Sequence, residues 1–234
     1  MIKYLESLEK FGINFGLERV RRLLAELGGP QDKFRSIHVA GTNGKGSTCA
    51  MLAAVLQEAG YKVGLYTSPH LFKYNERIKV NGQDISDRDL NAGLRLIKKI
   101  SSQPPNHLTS EQPTVFEVLT ALAFWHFARQ KVDYAIVEVG MGGRLDATNV
   151  ITPLVSVITN IDLEHTAILG KTLAKIAAEK SAIIKPGVPV VTAETKPAAL
   201  NVIKAQAKKN RSRLVQVNSR QSTVDSRLTG AHQK

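Results

Sequence analysis

Apolar side chains at positions 17, 20, 23, 24 and 27 recur at the spacing of one helix face, and the stripe stops at Gly28-Gly29-Pro30. Residues 36–40 then read as a short strand, a glycine-rich turn follows, and an apolar helix continues to position 59. Residues 62–66 form a second strand pattern. After TSPHL, the run ERIKV, the pair Asn81-Gly82 and QDI predict a hairpin. Ser86 is placed to cap a helix reaching about position 100, with Asp89 where a capping box closes. Residues 101–113 are polar with three prolines and predict a surface loop. Residues 114–129 are a strongly apolar helix. Residues 134–139, 154–158 and 188–192 read as buried strands, with helices over 173–184 and 197–209. Strands alternating with helices predict an α/β fold with a doubly wound, mostly parallel sheet, whose ligands sit beyond the carboxyl ends of the strands.

The turn after the first strand is the strongest chemical signal. Gly41, Thr42, Asn43, Gly44, Lys45, Gly46, Ser47 and Thr48 lead from a strand into a helix. The glycines let the backbone wrap an anion, the helix brings the positive end of its dipole, and Lys45 adds a full charge. That is a phosphate cradle. Its spacing departs from the Walker A pattern, because Gly46 stands between Lys45 and Ser47.

Composition narrows the partners. With 43% hydrophobic and 22% charged residues, the 234-residue chain predicts a folded globular protein. No apolar run approaches the roughly 20 residues a membrane span needs, and the start, MIKYLESLEK, lacks a signal peptide's apolar core. The single Cys49 can form no internal disulfide. A cytoplasmic protein is expected, without a membrane partner. The net charge of +12 raises nucleic acid as a partner, but the basic residues are scattered, as at Arg21, Arg22, Lys98 and Lys99, and aromatics reach only 6%. A basic surface steering anionic substrates fits better, so no nucleic acid is expected.

Two further groups fall at strand ends. Glu138 is a carboxylate in the otherwise apolar run AIVEVG, and His165 follows the strand at 154–158, with Asp162 nearby. HVAGTNGKGS, TSPHL, NERI, EVGMGGRLDATNV, TNIDLEHTAILG, AAEKSAIIKPG and LTGAHQ occur in this order. In this the chain resembles the folylpolyglutamate synthases and the bifunctional dihydrofolate synthases of the Mur ligase superfamily. The resemblance implies a P-loop fold like the Mur ligase central domain, and ATP-dependent amide ligation. A pteroate or folate carboxylate is phosphorylated, and the amino group of L-glutamate displaces the phosphate. Dihydropteroate and tetrahydrofolate both remain open as acceptors.

The resemblance also implies site roles. Lys45 neutralises the triphosphate, and Ser68 and Glu138 bind Mg²⁺. His165 is a ligand of a second Mg²⁺, where Mn²⁺ is also acceptable to an imidazole. Lys180 matches the lysine that is carbamylated in the family, a form that supplies oxygen ligands. Thr114, Phe116 and Asp146 are implied for the pterin, with Asn149 and Arg77 ordering the crevice. Residues 1–214 are expected to form the ATP- and folate-binding domain, and 215–234 a shortened connector and hinge, without the second α/β domain that follows in the family. A monomer is expected, ligating poorly or not at all by itself. The alternative reading is a nucleotide- or folate-binding module without turnover. A generic P-loop ATPase acting on nucleic acid is a third, disfavoured by the ordered motifs.

Overall fold

A computed structural model of the chain describes residues 1–102 and 112–217. Eight strands form one sheet: β1 (Arg35–Ala40), β2 (Val63–Tyr66), β3 (Ile78–Val80), β4 (Gln83–Asp84), β5 (Tyr134–Glu138), β6 (Val155–Ile158), β7 (Val190–Thr192) and β8 (Leu214–Gln216). Their order is β4-β3-β2-β5-β1-β6-β7-β8. The run from β2 through β8 is parallel, and β3 and β4 add an antiparallel edge. The α/β, mostly parallel sheet read from the pattern is the one observed.

The helices are α1 (Ile2–Leu8), α2 (Glu18–Glu26), α3 (Lys45–Glu58), α4 (Asp87–Ser101), α5 (Val115–Gln130), α6 (Thr166–Leu169), α7 (Leu173–Ser181) and α8 (Pro197–Lys209). Alternate residues of β5 face opposite layers, as the two-residue period of a strand requires. Ala135 and Val137 pack with α2, α4 and α5, through Leu23, Leu94 and Phe124. Ile136 packs on the other face with Cys49 and Ala53 of α3. A separate cluster under α7 and α8 joins Ile158, Ile176, Val190 and Ile203. The helix α5 is apolar nearly all round because it is buried nearly all round.

Local signals account for the boundaries. Asn81 and Gly82 both adopt positive φ, 47° and 75°, the geometry a two-residue hairpin favours. The Ser86 hydroxyl accepts from the Asp89 N–H at 3.1 Å, so the cap forms. Thr114 and Glu117 form a full capping box at the start of α5.

Three differences from the sequence pattern stand out. The first is α1, whose short polar run hides two core residues, Leu5 and Leu8. The second is β8, which pairs with β7 through Val191 and Val215 and carries the sheet to residue 216, across the boundary expected at 214. The third is the short α6, opened by His165. Most of the loop expected over 101–113 and the hinge motif at 228–233 lie outside the described residues. Among the described residues no helix is long and apolar enough to cross a membrane.

Candidate functional site

The strand order places the carboxyl ends of β2, β5, β1 and β6 side by side. The loops leaving them therefore meet in one crevice, where a parallel sheet holds its ligands.

The phosphate loop leaves β1 at Gly41 and enters α3 at Lys45. Gly41 has φ +146°, and a Cβ there would lie 1.8 Å from Thr159 Oγ1, so only glycine fits. Gly44 caps α3 in the left-handed region, with no side chain capping the helix. With no side-chain cap, the first N–H groups of α3 are the free donors of a helix start, at the point where Lys45 borders the crevice. Neighbouring β6 loop residues brace the turn. The Thr42 N–H donates to Asn160 O at 2.8 Å and the Asn43 N–H to Asn160 Oδ1 at 3.0 Å. Thr159 Oγ1 donates to Asn43 O at 2.8 Å, and the Asp162 N–H donates to Thr42 Oγ1 at 3.0 Å. Lys45 Nζ folds back onto Thr42 O at 3.1 Å.

Glu138 ends β5 and is only 4% exposed. Its Oε2 accepts the Ser68 N–H at 2.8 Å. Oε1 faces Gly46, where a Cβ would lie 3.8 Å away. Burial raises the carboxyl above its ordinary pKa, the Ser68 N–H and Lys45 oppose that, and Asp146 adds to it. A buried, reluctant anion beside a phosphate loop is suited to a cation.

Lys180, on the inner face of α7, is 1% exposed. Its Nζ meets Glu164 Oε1 at 2.5 Å and donates to Gly41 O at 2.9 Å. Burial lowers its pKa, and Glu164 works against that shift. Lys180 therefore ties α7 to the phosphate loop. His165 is exposed, with φ +45°, and borders the crevice. Asp162 is exposed too and pairs with Lys196 at 3.3 Å. Among the described residues, no three His, Cys, Asp or Glu side chains converge on one metal position.

Beside the phosphate loop opens a cavity of about 460 Å³. Lys45, Ser68, Arg77, Thr114, Phe116, Asp146 and His165 all border it, so residues far apart in sequence share one space. Glu138 and Lys180 lie behind this lining. The Phe116 ring approaches Tyr66 with centroids 5.9 Å apart and covers Gly140, where a Cβ would lie 2.5 Å from its Cζ. Arg77 donates from Nε to His70 Nδ1 at 2.8 Å. Asn149 donates to Arg144 O at 3.1 Å and braces the loop after β5.

Asp146 is more committed to the protein than its sequence position suggests. Oδ2 accepts the Met141 N–H at 2.9 Å, and Oδ1 accepts the Thr148 N–H at 3.0 Å and its hydroxyl at 2.5 Å. Burial raises its pKa against these donors.

Sequence reasoning passed over the opposite wall, residues 12–16, which also line the cavity. This segment is pinned to α5: Arg19 donates from Nη2 to Asn14 O at 2.6 Å and from Nε to Glu117 at 3.0 and 3.1 Å. Glu117 in turn accepts from the Thr114 N–H at 2.7 Å and its hydroxyl at 3.0 Å. The glycines at 12 and 16 and the GLER run were the available signal. Glu164 and Asn160 were also missed, being ordinary polar residues in a polar loop.

Comparison with known proteins places this crevice in context. The family model of the Mur ligase middle domain matches residues 39–225. The chain is 50% identical over 202 residues to the dihydrofolate synthase/folylpolyglutamate synthase of Bacillus subtilis, covering 86% of this chain and 47% of that protein. Among solved structures, an FPGS–AMPPCP complex superposes with a TM-score of 0.86 at 40% identity, covering 92% of this chain and 52% of the other. The Escherichia coli FolC in complex with DHPP and ADP gives 0.83 at 39% identity, covering 91% and 49%. The chain spans about half the length of the relatives it matches.

Proposed function

The chain belongs to the Mur ligase family through its middle domain, and on that premise we propose that it carries the ATP and pteroate sites of a carboxylate–amine ligase. The reaction joins L-glutamate to dihydropteroate or to a tetrahydrofolate. The acceptor's carboxylate oxygen attacks the γ-phosphorus of ATP, and ADP leaves. The glutamate amine then attacks the acyl carbon, loses a proton, and expels inorganic phosphate. The observation that carries this reading is the glycine turn at the start of α3, braced by Asn160 and facing the buried Glu138 across Gly46.

The residues divide the work. The N–H groups from Gly44 to Ser47 and the Lys45 ammonium receive the triphosphate, and Thr42, Asn43 and Thr48 shape the turn. Glu138 and the Ser68 hydroxyl would hold one Mg²⁺. Mg²⁺ commonly takes one or two protein ligands and completes its shell with phosphate and water, so a converging cluster is not required. That ion neutralises phosphate charge when bound. His165 would hold a second Mg²⁺, or Mn²⁺. Lys180 is the residue we assign to carbamylation. Burial favours its neutral, nucleophilic amine, and the adduct requires the amine to leave Glu164. Thr114, Phe116 and Asp146 receive the pterin, the ring by stacking and the carboxylate with the one acceptor site that its three protein donors leave. We place the protein in the cytoplasm as a monomer.

The test is calorimetry with Mg·AMPPCP and with dihydropteroate, beside phosphate release from ATP with and without glutamate. Binding of both ligands, with release that needs glutamate, supports the ligase. Binding without release supports the module without turnover. Failure to bind either ligand removes the reading. Carbon-13 bicarbonate labelling should give a carbamate signal that Lys180→Arg removes; its absence at saturating bicarbonate would refute the modification.

A further inference from the structure

Behind Asp146 runs a buried chain of hydrogen bonds. His38 lies in the middle of β1 and is fully buried, as is Thr148. His38 Nε2 is 2.8 Å from Thr148 Oγ1, which is 2.5 Å from Asp146 Oδ1. His38 Nδ1 is buried without a hydrogen-bond partner.

Counting protons fixes the direction. Thr148 Oγ1 has one hydrogen to give and lone pairs to receive. If His38 carried its proton on Nδ1, that N–H would be a buried orphan donor, and Nε2 and Asp146 would compete for the single Thr148 hydrogen. A protonated Asp146 donating toward Thr148 leaves the same orphan. With the proton on Nε2, every hydrogen has an acceptor, and only one lone pair, on Nδ1, is left over. Orphan acceptors are tolerated better than orphan donors. Burial also depresses His38 to a pKa of about 3, with Lys185 adding to the shift, so the ring is neutral.

We infer that His38 and Thr148 are positioning residues that act through Asp146 to set the cavity wall for its pterin-like ligand. His38 Nε2–H donates to Thr148, and the Thr148 hydroxyl donates to Asp146. This holds Asp146 in one rotamer as an acceptor. Asp146 then gathers the N–H groups of Met141 and Thr148, the two ends of the loop whose Met141, Leu145 and Ala147 line the cavity. A carboxylate has about four acceptor sites; the chain occupies three, with the Gly140 N–H close by. The relay reaches the cavity without any charge on His38. It rests on the reading of this cavity as the pteroate site, but its hydrogen-bond direction does not.

Two sets of measurements separate the two claims. In the unliganded 234-residue chain, nitrogen-15 spectra of the His38 ring should show the Nε2–H tautomer at neutral pH. Exchange of the Met141 and Thr148 amide hydrogens should quicken in Thr148→Val and return to parental rates in Thr148→Ser. An Nδ1–H tautomer, or equal exchange in the Val and Ser variants, overturns the relay whatever the ligand. In calorimetry, Thr148→Val and His38→Leu should weaken dihydropteroate by about tenfold. Thr148→Ser should restore it, as should His38→Gln, whose amide can donate from the Nε2 position. Mg·ADP affinity should not move in any of the four. An equal loss of Mg·ADP affinity would mean a general structural role and overturn the assignment to the cavity wall. If the parent itself binds no dihydropteroate, the functional reading fails, and the tautomer and exchange data still decide the relay.

Discussion

Two glycines of the phosphate loop look equivalent in sequence and are not in space. At Gly41 a methyl group would meet Thr159 Oγ1 at 1.8 Å and would also need φ +146°. At Gly44 the same methyl meets nothing within 4 Å, and only the φ of +77° opposes it. Strain of the second kind costs about 1–2 kcal/mol, and displacing the Thr159 hydroxyl from its bond to Asn43 O adds a comparable amount. Gly41→Ala should therefore lose about 3 kcal/mol in a urea melt and Gly44→Ala about 1; equal losses would show that the Thr159 contact yields freely. His38 makes a prediction in pH. Its folded pKa of about 3 lies below the ordinary 6.5, so between those values the unfolded chain binds the extra proton. Stability from this group is present above pH 6.5 and is lost as pH falls toward 3. Two units of pH below 6.5 correspond to about 3 kcal/mol. Urea melts of the parent and His38→Gln at pH 7 and 4.5 should differ in their acid loss by about that amount; parallel curves would place the imidazole in water.

The Arg19–Glu117 pair decides how α2, α5 and the wall at 12–16 hold together. Both side chains are buried, and Glu117 also closes the capping box with Thr114. Removing Glu117 strips the buried Arg19 Nε of both its carboxylate bonds, a loss of the kind that typically costs about 3–5 kcal/mol, whereas replacing both partners by apolar groups often costs far less. Glu117→Leu should thus destabilise more than the double change Arg19→Met with Glu117→Leu, read by denaturant melts in a double-mutant cycle. A double variant that loses the sum of the two single changes would show the pair to be uncoupled. This linkage also marks where sequence reading reached its limit. The strands β1, β5 and β6, the cap at Ser86 and the hairpin at Asn81-Gly82 were legible because each carries a local signal, a period or a turn residue. So were Lys45, Glu138 and His165, which stand out as charged or imidazole groups at strand ends. α1 was not, since its two buried leucines sit among charged neighbours. Nor was β8, three residues long after a basic turn, whose strand character comes from pairing with β7. Residues 12–16, Asn160 and Glu164 matter through backbone and long-range partners, which no local pattern records.

Across the described residues, the crevice lies between two of the hydrophobic cores. One lies under α2, α4 and α5 and the other under α7 and α8. Around the phosphate loop, Lys180 reaches from α7 to Gly41, and the loop after β5 reaches α7 through the Arg144 N–H on Glu179 O at 2.9 Å. A ligand seated there touches groups held by both cores, so its binding energy should stabilise them together. At a concentration one hundred times its dissociation constant, a ligand adds about 2.7 kcal/mol. For a domain of this size that corresponds to a rise in Tm of roughly 5–10 °C. Mg·AMPPCP should therefore shift one cooperative transition upward, with far- and near-ultraviolet signals moving together. EDTA should remove most of the shift if, as proposed, Glu138 and Ser68 hold the ion that neutralises the phosphates. Lys45→Ala should remove it as well, while lowering the unliganded Tm by little, since the Lys45 ammonium makes one hydrogen bond, to Thr42 O at 3.1 Å, besides its charge interaction with Glu138. Two transitions, of which ligand moves only one, would mean that the cores melt independently and that the loop contacts do not couple them.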